Sequence, residues 1–86
     1  MRFLGGGRMS IEDYVQHLGR DEVKIYAPLK EDFYEYLVEP TQEKYKELLK
    51  RFIRAKGQYM EFLPDICIFD WQAFYRFVAE IMKRLY

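Results

Sequence analysis

Apolar residues recur every three or four positions in four stretches of the chain, which is the spacing of one face of an α-helix. The pattern predicts helices over the ranges 10–18, 29–38, 41–57 and 71–86. Ser10, Thr41 and Asp70 carry side-chain oxygens of the kind that cap helix N-termini, and they mark where three of these helices begin. The sequence therefore predicts a mainly α fold, a compact bundle of about four helices that forms a single domain over residues 10–86.

Two shorter segments leave the secondary structure open. In segment 22–27, Val23 and Ile25 alternate with polar residues, which is a weak strand signal. Segment 65–69 contains the apolar run Ile-Cys-Ile-Phe, which is compatible with a short buried strand or with a buried turn. Paired together, the two segments would form a small two-stranded β element, and an α+β fold is the alternative to the purely helical bundle.

The first nine residues are expected to form a flexible segment before the domain. Residues 5–7 are consecutive glycines, which lose much backbone entropy on ordering and provide no side chains for packing. A phosphate-binding loop would need Lys and Ser or Thr at fixed positions after such glycines, and the sequence lacks them. We therefore assign no ligand to this segment.

The composition adds expectations about the environment of the protein. No run approaches the ~18 consecutive apolar residues of a membrane span, and residues 1–9 lack the apolar stretch of a secretory signal. We therefore expect a cytoplasmic protein in which Cys67 is a free thiol. The absence of Asn and the 33% of charged residues favour a thermophilic source.

The chain contains few residues of the types that carry out catalysis. It has one histidine, His17, one cysteine, Cys67, and a single Ser and Thr. One Cys and one His cannot supply an ordinary zinc site, and no carboxylate stands at a motif spacing from a nucleophile or a base. The sequence predicts a non-enzymatic protein with no metal, no cofactor and no small-molecule substrate.

The last predicted helix has an unusually wide apolar face, which covers about half of its circumference. Large aromatic side chains on such a face are typical of interface hot spots. Small domains without disulfides or metals commonly gain stability by association. The leading hypothesis is therefore a protein-interaction or assembly module that forms a homodimer or binds another protein. The candidate interface residues are Trp71, Tyr75, Val78, Met82 and Tyr86.

The charges suggest a second hypothesis, because a net charge of zero is unevenly distributed. Residues 20–40 carry three cations and six carboxylates, a net charge of −3, whereas residues 41–57 carry six and two, a net charge of +4. A basic helix face can contact the phosphates of nucleic acid, although domains that bind nucleic acid usually have a high pI. The candidate residues for this alternative are Lys44, Lys46, Lys50, Arg51 and Arg54.

Overall fold

The computed structural model describes residues 10–55, 57 and 62–85 of the chain. Regular structure within these residues is helical, and the prediction of a mainly α fold is confirmed. The α-helices are α1 (Ile11–Gln16), α2 (Arg20–Lys24), α3 (Lys30–Val38), α4 (Gln42–Arg54), α5 (Ile66–Phe69) and α6 (Trp71–Leu85), with a 3₁₀ turn at Ala27–Leu29 before α3. The predicted flexible segment 1–9 lies outside the described residues.

Both segments considered as strands are helical, so the two-stranded β element is not formed. Segment 22–27 contains the end of α2 and the start of the 3₁₀ turn. Its buried residues are Val23 and Tyr26, which lie one helical turn apart, while Ile25 is only half-buried. The strand predicted from the alternation of Val23 and Ile25 was therefore wrong, because the two buried residues, Val23 and Tyr26, have the spacing of a helix.

Segment 65–69 forms a single helical turn, α5, held by backbone hydrogen bonds. The amide of Cys67 donates to the carbonyl of Pro64 at 2.9 Å, and the amide of Asp70 donates to the carbonyl of Ile66 at 3.0 Å. The hydroxyl of Tyr45 donates to the carbonyls of Cys67, at 3.3 Å, and of Ile68. A side chain of α4 thus fixes the position of α5.

The helix starts predicted from capping residues are confirmed. The side chain of Ser10 accepts from the amide of Asp13 at 3.1 Å, and that of Thr41 accepts from the amide of Lys44 at 3.1 Å. The carboxylate of Asp70 accepts from the amide of Gln72 at 2.9 Å at the start of α6. These bonds satisfy amides that have no partner inside the helix.

The core is built around α6 and is rich in aromatic rings. Phe74 and Phe77 of α6 are fully buried, as are Tyr26, Phe33 and Phe52 from other parts of the chain. The rings of Phe33 and Phe52 are stacked with their centroids 6.1 Å apart. Within the described chain, no helix is both long and apolar enough to cross a membrane.

Candidate functional site

The candidate interface on α6 is divided between the protein surface and the core. Val78 is completely buried and Met82 is 6% exposed, so both belong to the core rather than to a surface that a partner can contact. The physical reason is that α1 packs along this half of α6, where Arg76 and Arg84 both bond to it. Tyr86 lies outside the described residues.

Trp71 and Tyr75 remain half-buried, and they line a groove at the start of α6. The groove has a volume of about 290 Å³ and a lining that is almost entirely apolar. Pro40, in the connection between α3 and α4, completes the apolar part, and Gln72 and Arg76 stand at its edge. An apolar groove of this kind is a recurring feature of sites that accept an aromatic or aliphatic side chain.

Contacts from α3 hold the groove in place. The hydroxyl of Tyr36, which is itself buried, donates to the backbone carbonyl of Trp71 at 2.9 Å. The ring of Tyr36 also lies 5.9 Å from the ring of Tyr75. Through these two contacts, Tyr36 gives the groove walls a defined position before any partner binds. A groove that is already ordered loses less entropy on binding.

Among the described residues, Phe69 is the most exposed of the large hydrophobic side chains, and it was not among the candidate residues predicted from the sequence. It is 82% exposed, although it belongs to the apolar run that was interpreted as buried. Phe69 stands two residues before Trp71, so their Cα atoms are at most about 7 Å apart. Within α5 only Cys67 is fully buried, because one helical turn can direct few of its side chains inward. The backbone of the exposed residue Phe69 is therefore close to that of Trp71, which lines the apolar groove.

Most of the candidate basic residues on α4 form ion pairs with carboxylates. Lys44 lies 3.0 Å from Glu39, and Arg51 lies 3.0 Å from Asp32. Lys50 lies 3.6 Å from a third carboxylate, one turn earlier on the same helix. Pairing of this kind weakens the positive potential that a phosphate backbone would meet.

Two of the basic residues on α4, Lys46 and Arg54, are exposed and form no ion pair with any described residue. The nucleic-acid hypothesis stays a prediction. The surface that carries unpaired positive charge is smaller than the set of five candidate residues. The reason is that the folded chain places acidic residues of α3, and of the loop after α3, beside α4.

Cys67 has the environment of a core residue rather than of a nucleophile. Its side chain is fully buried, and its thiol lies 3.7 Å from the carbonyl of Ala73. Burial raises the pKa of the Cys67 thiol to about 12, and the negative charge of Asp70 acts in the same direction. The thiolate, which is the reactive form, is therefore negligible at neutral pH.

Comparisons with protein-family models, with curated proteins and with solved structures find no match to this chain. A helical fold by itself does not define a function, because one fold can carry many unrelated sites. The features of this chain that indicate a function are the exposed ring of Phe69 and the apolar groove that begins at Trp71.

Proposed function

We propose that this protein is a small interaction module that self-associates through an aromatic surface made of Phe69, Trp71, Tyr75 and Pro40. The observation that supports the proposal best is the 82% exposure of Phe69 next to an apolar groove. Contiguous apolar patches on the surface of a folded chain commonly mark interaction sites.

A second copy of the chain is the occupant that this surface fits. In a two-fold dimer each copy offers the same patch, so a protruding ring and a groove on one face can fill each other reciprocally. Phe69 and Trp71 can contribute to one such face because only Asp70 lies between them in the chain. The net charge of zero also favours self-association, since two copies repel each other little.

Burial of the Phe69 rings would supply a substantial part of the association energy. Full burial of one Phe side chain contributes about 1.5–3 kcal/mol, and a symmetric dimer buries two. A stable interface removes about 600–1,000 Å² from each partner, roughly a tenth to a sixth of the 6036 Å² accessible surface of this chain. Phe69 and the groove would form the centre of such an interface, with polar residues such as Gln72 at its edge.

Sedimentation equilibrium over micromolar to millimolar protein concentrations tests the proposal. We expect a species of twice the 10.6 kDa chain mass at the higher concentrations. Phe69→Ser should weaken dimerisation by about a hundredfold or more, because two buried rings are lost. Tyr34→Ser is the matched control, since Tyr34 is 61% exposed on α3 and lies outside the aromatic surface.

Two results would contradict the proposal. The first is a wild-type chain that stays monomeric over the whole concentration range. The second is a dimer that Phe69→Ser and Tyr34→Ser weaken equally, which would place the interface elsewhere. Circular dichroism of each variant confirms that its helices are intact, and both substitutions are at exposed positions where the folded monomer tolerates change.

A further inference from the structure

Among the described residues, those that line a depression between α2 and the end of α6 include three cations and no carboxylate. Its lining residues are Arg20, Val23, Lys24, Arg84 and Leu85, and its volume is about 370 Å³. Several other cations of the fold differ, because Lys44, Arg51, Arg76 and Lys83 each form an ion pair with a carboxylate. The depression therefore concentrates positive charge that the described residues do not neutralise.

Arg84 is held in position by the end of α1. Its Nη1 donates to the backbone carbonyl of Val15 and, at 3.0 Å, to that of Leu18. These carbonyls belong to the end of a helix and its following turn, where a cation is favoured. The Nε and Nη2 donors of Arg84 make no hydrogen bond within residues 10–55, 57 and 62–85. That edge of the guanidinium is a pair of parallel donors that can bind two oxygens of one anion.

Arg20 and Lys24 provide the two other charges from one side of α2. They are four residues apart, which places them on the same face of the helix. Both are exposed, and neither forms an ion pair with a described residue. The nearby carboxylate of Glu22 accepts a hydrogen bond from the amide of Gly19. Asp21 lies about 100° around the helix from Arg20 and about 60° from Lys24, but it forms no ion pair with either cation.

We propose that Arg20, Lys24 and Arg84 form a binding site for a phosphate monoester. The free edge of Arg84 would bind two phosphate oxygens, and the other two cations would balance a charge of about −1.5 to −2 at neutral pH. Val23 and Leu85 form an apolar wall in the same depression, so the ester's organic group would contact them. This site is separate from the aromatic surface and does not depend on the proposed self-association.

Titration with phenyl phosphate, followed by amide chemical shifts, tests the proposal. We expect saturable shifts confined to α2 and the last turn of α6, and affinity that decreases as salt is added. Inorganic phosphate, the second probe, should bind severalfold more weakly because it has no group to contact Val23 and Leu85. If both probes bind equally well, the ligand is free phosphate, and the proposed role of the organic group is wrong.

The double variant Arg20→Gln/Lys24→Gln should weaken phenyl phosphate binding at least tenfold. The matched control is Lys50→Gln/Arg54→Gln, which removes the same two residue types at the same spacing from α4. Equal weakening by the two double variants, or wild-type shifts that do not saturate, would overturn the site. The test spares Arg84, whose bonds to α1 contribute to the fold.

Discussion

Replacement of Phe74 by leucine tests whether the aromatic cluster around α6 stabilises the fold. Phe74 is fully buried, and four rings lie with their centroids 5.3–6.4 Å from its own. Leucine keeps an apolar side chain at the site, so the change in size and shape costs up to about 1.5 kcal/mol. Four lost ring pairs at about 0.5 kcal/mol each add about 2 kcal/mol. We therefore expect the free energy of unfolding to fall by about 3 kcal/mol.

The matched control is Phe77→Leu, which makes the same change at an equally buried position one turn later. The described rings within 6.4 Å of Phe77 are those of Tyr26 and Phe74, so its loss should be smaller, about 2 kcal/mol. Phe69→Leu, at an exposed site, should change the stability of the monomer by less than about 0.5 kcal/mol.

Urea unfolding followed by circular dichroism, at concentrations where the chain is monomeric, measures all three variants. For a domain of this size, 3 kcal/mol corresponds to a fall in Tm of roughly 15 °C. A domain of 86 residues has a free energy of unfolding of about 4–13 kcal/mol, so the variants should still fold. The reasoning would be refuted if Phe74→Leu cost no more than Phe69→Leu, because burial and ring contacts would then contribute nothing.

Three further predictions concern a hydroxyl, a thiol and an ion pair. Tyr45→Phe removes a buried hydroxyl that donates to two carbonyls of α5, and in thermal unfolding it should cost about 1 kcal/mol, whereas Tyr34→Phe, at an exposed site, should cost little. The thiol of Cys67 should react with a thiol reagent only after unfolding. Between pH 9 and about 12 the folded chain keeps the thiol proton that the unfolded chain loses. The contribution of this thiol to the free energy of unfolding is therefore complete below pH 9 and decreases between pH 9 and about 12. In the Cys67→Ala variant, the free energy of unfolding should decrease less over this pH range. The hydrogen bond from Arg76 lowers the pKa of Glu12, and in an NMR titration Arg76→Gln should raise that pKa towards its ordinary value; an unchanged pKa would contradict the contact.

The longer helices could be predicted from the sequence because their apolar positions and caps agree. Ser10, Thr41 and Asp70 each satisfy free amides of their own helix, and this is a local property that the sequence alone determines. The segments between the long helices could not be predicted in the same way. α2 and α5 have five and four residues, too few for a periodic pattern to separate helix from strand.

The candidate sites depended on tertiary contacts, and the sequence predicted them less well. Trp71, Tyr75, Val78 and Met82 occupy one stripe of α6, and the packing of the other helices on α6 decides which of them are buried. The exposure of Phe69 follows from the short turn of α5, which the apolar run concealed. The cationic depression joins α2 to residues about sixty positions later, and no sequence motif indicates that contact.

The two proposed sites lie near opposite ends of α6 and should act independently. Arg84 lies thirteen positions after Trp71, which corresponds to about 20 Å along the helix axis. That distance exceeds the screening length of about 8 Å at physiological ionic strength, so charge at one site has little direct effect on the other. Saturating phenyl phosphate should therefore leave the dimer dissociation constant unchanged. A changed constant would mean that the sites are coupled, and by thermodynamic reciprocity dimerisation would then alter phosphate affinity by the same factor. Coupling of that kind would require a shift of α6 between two positions, which its tight aromatic packing opposes.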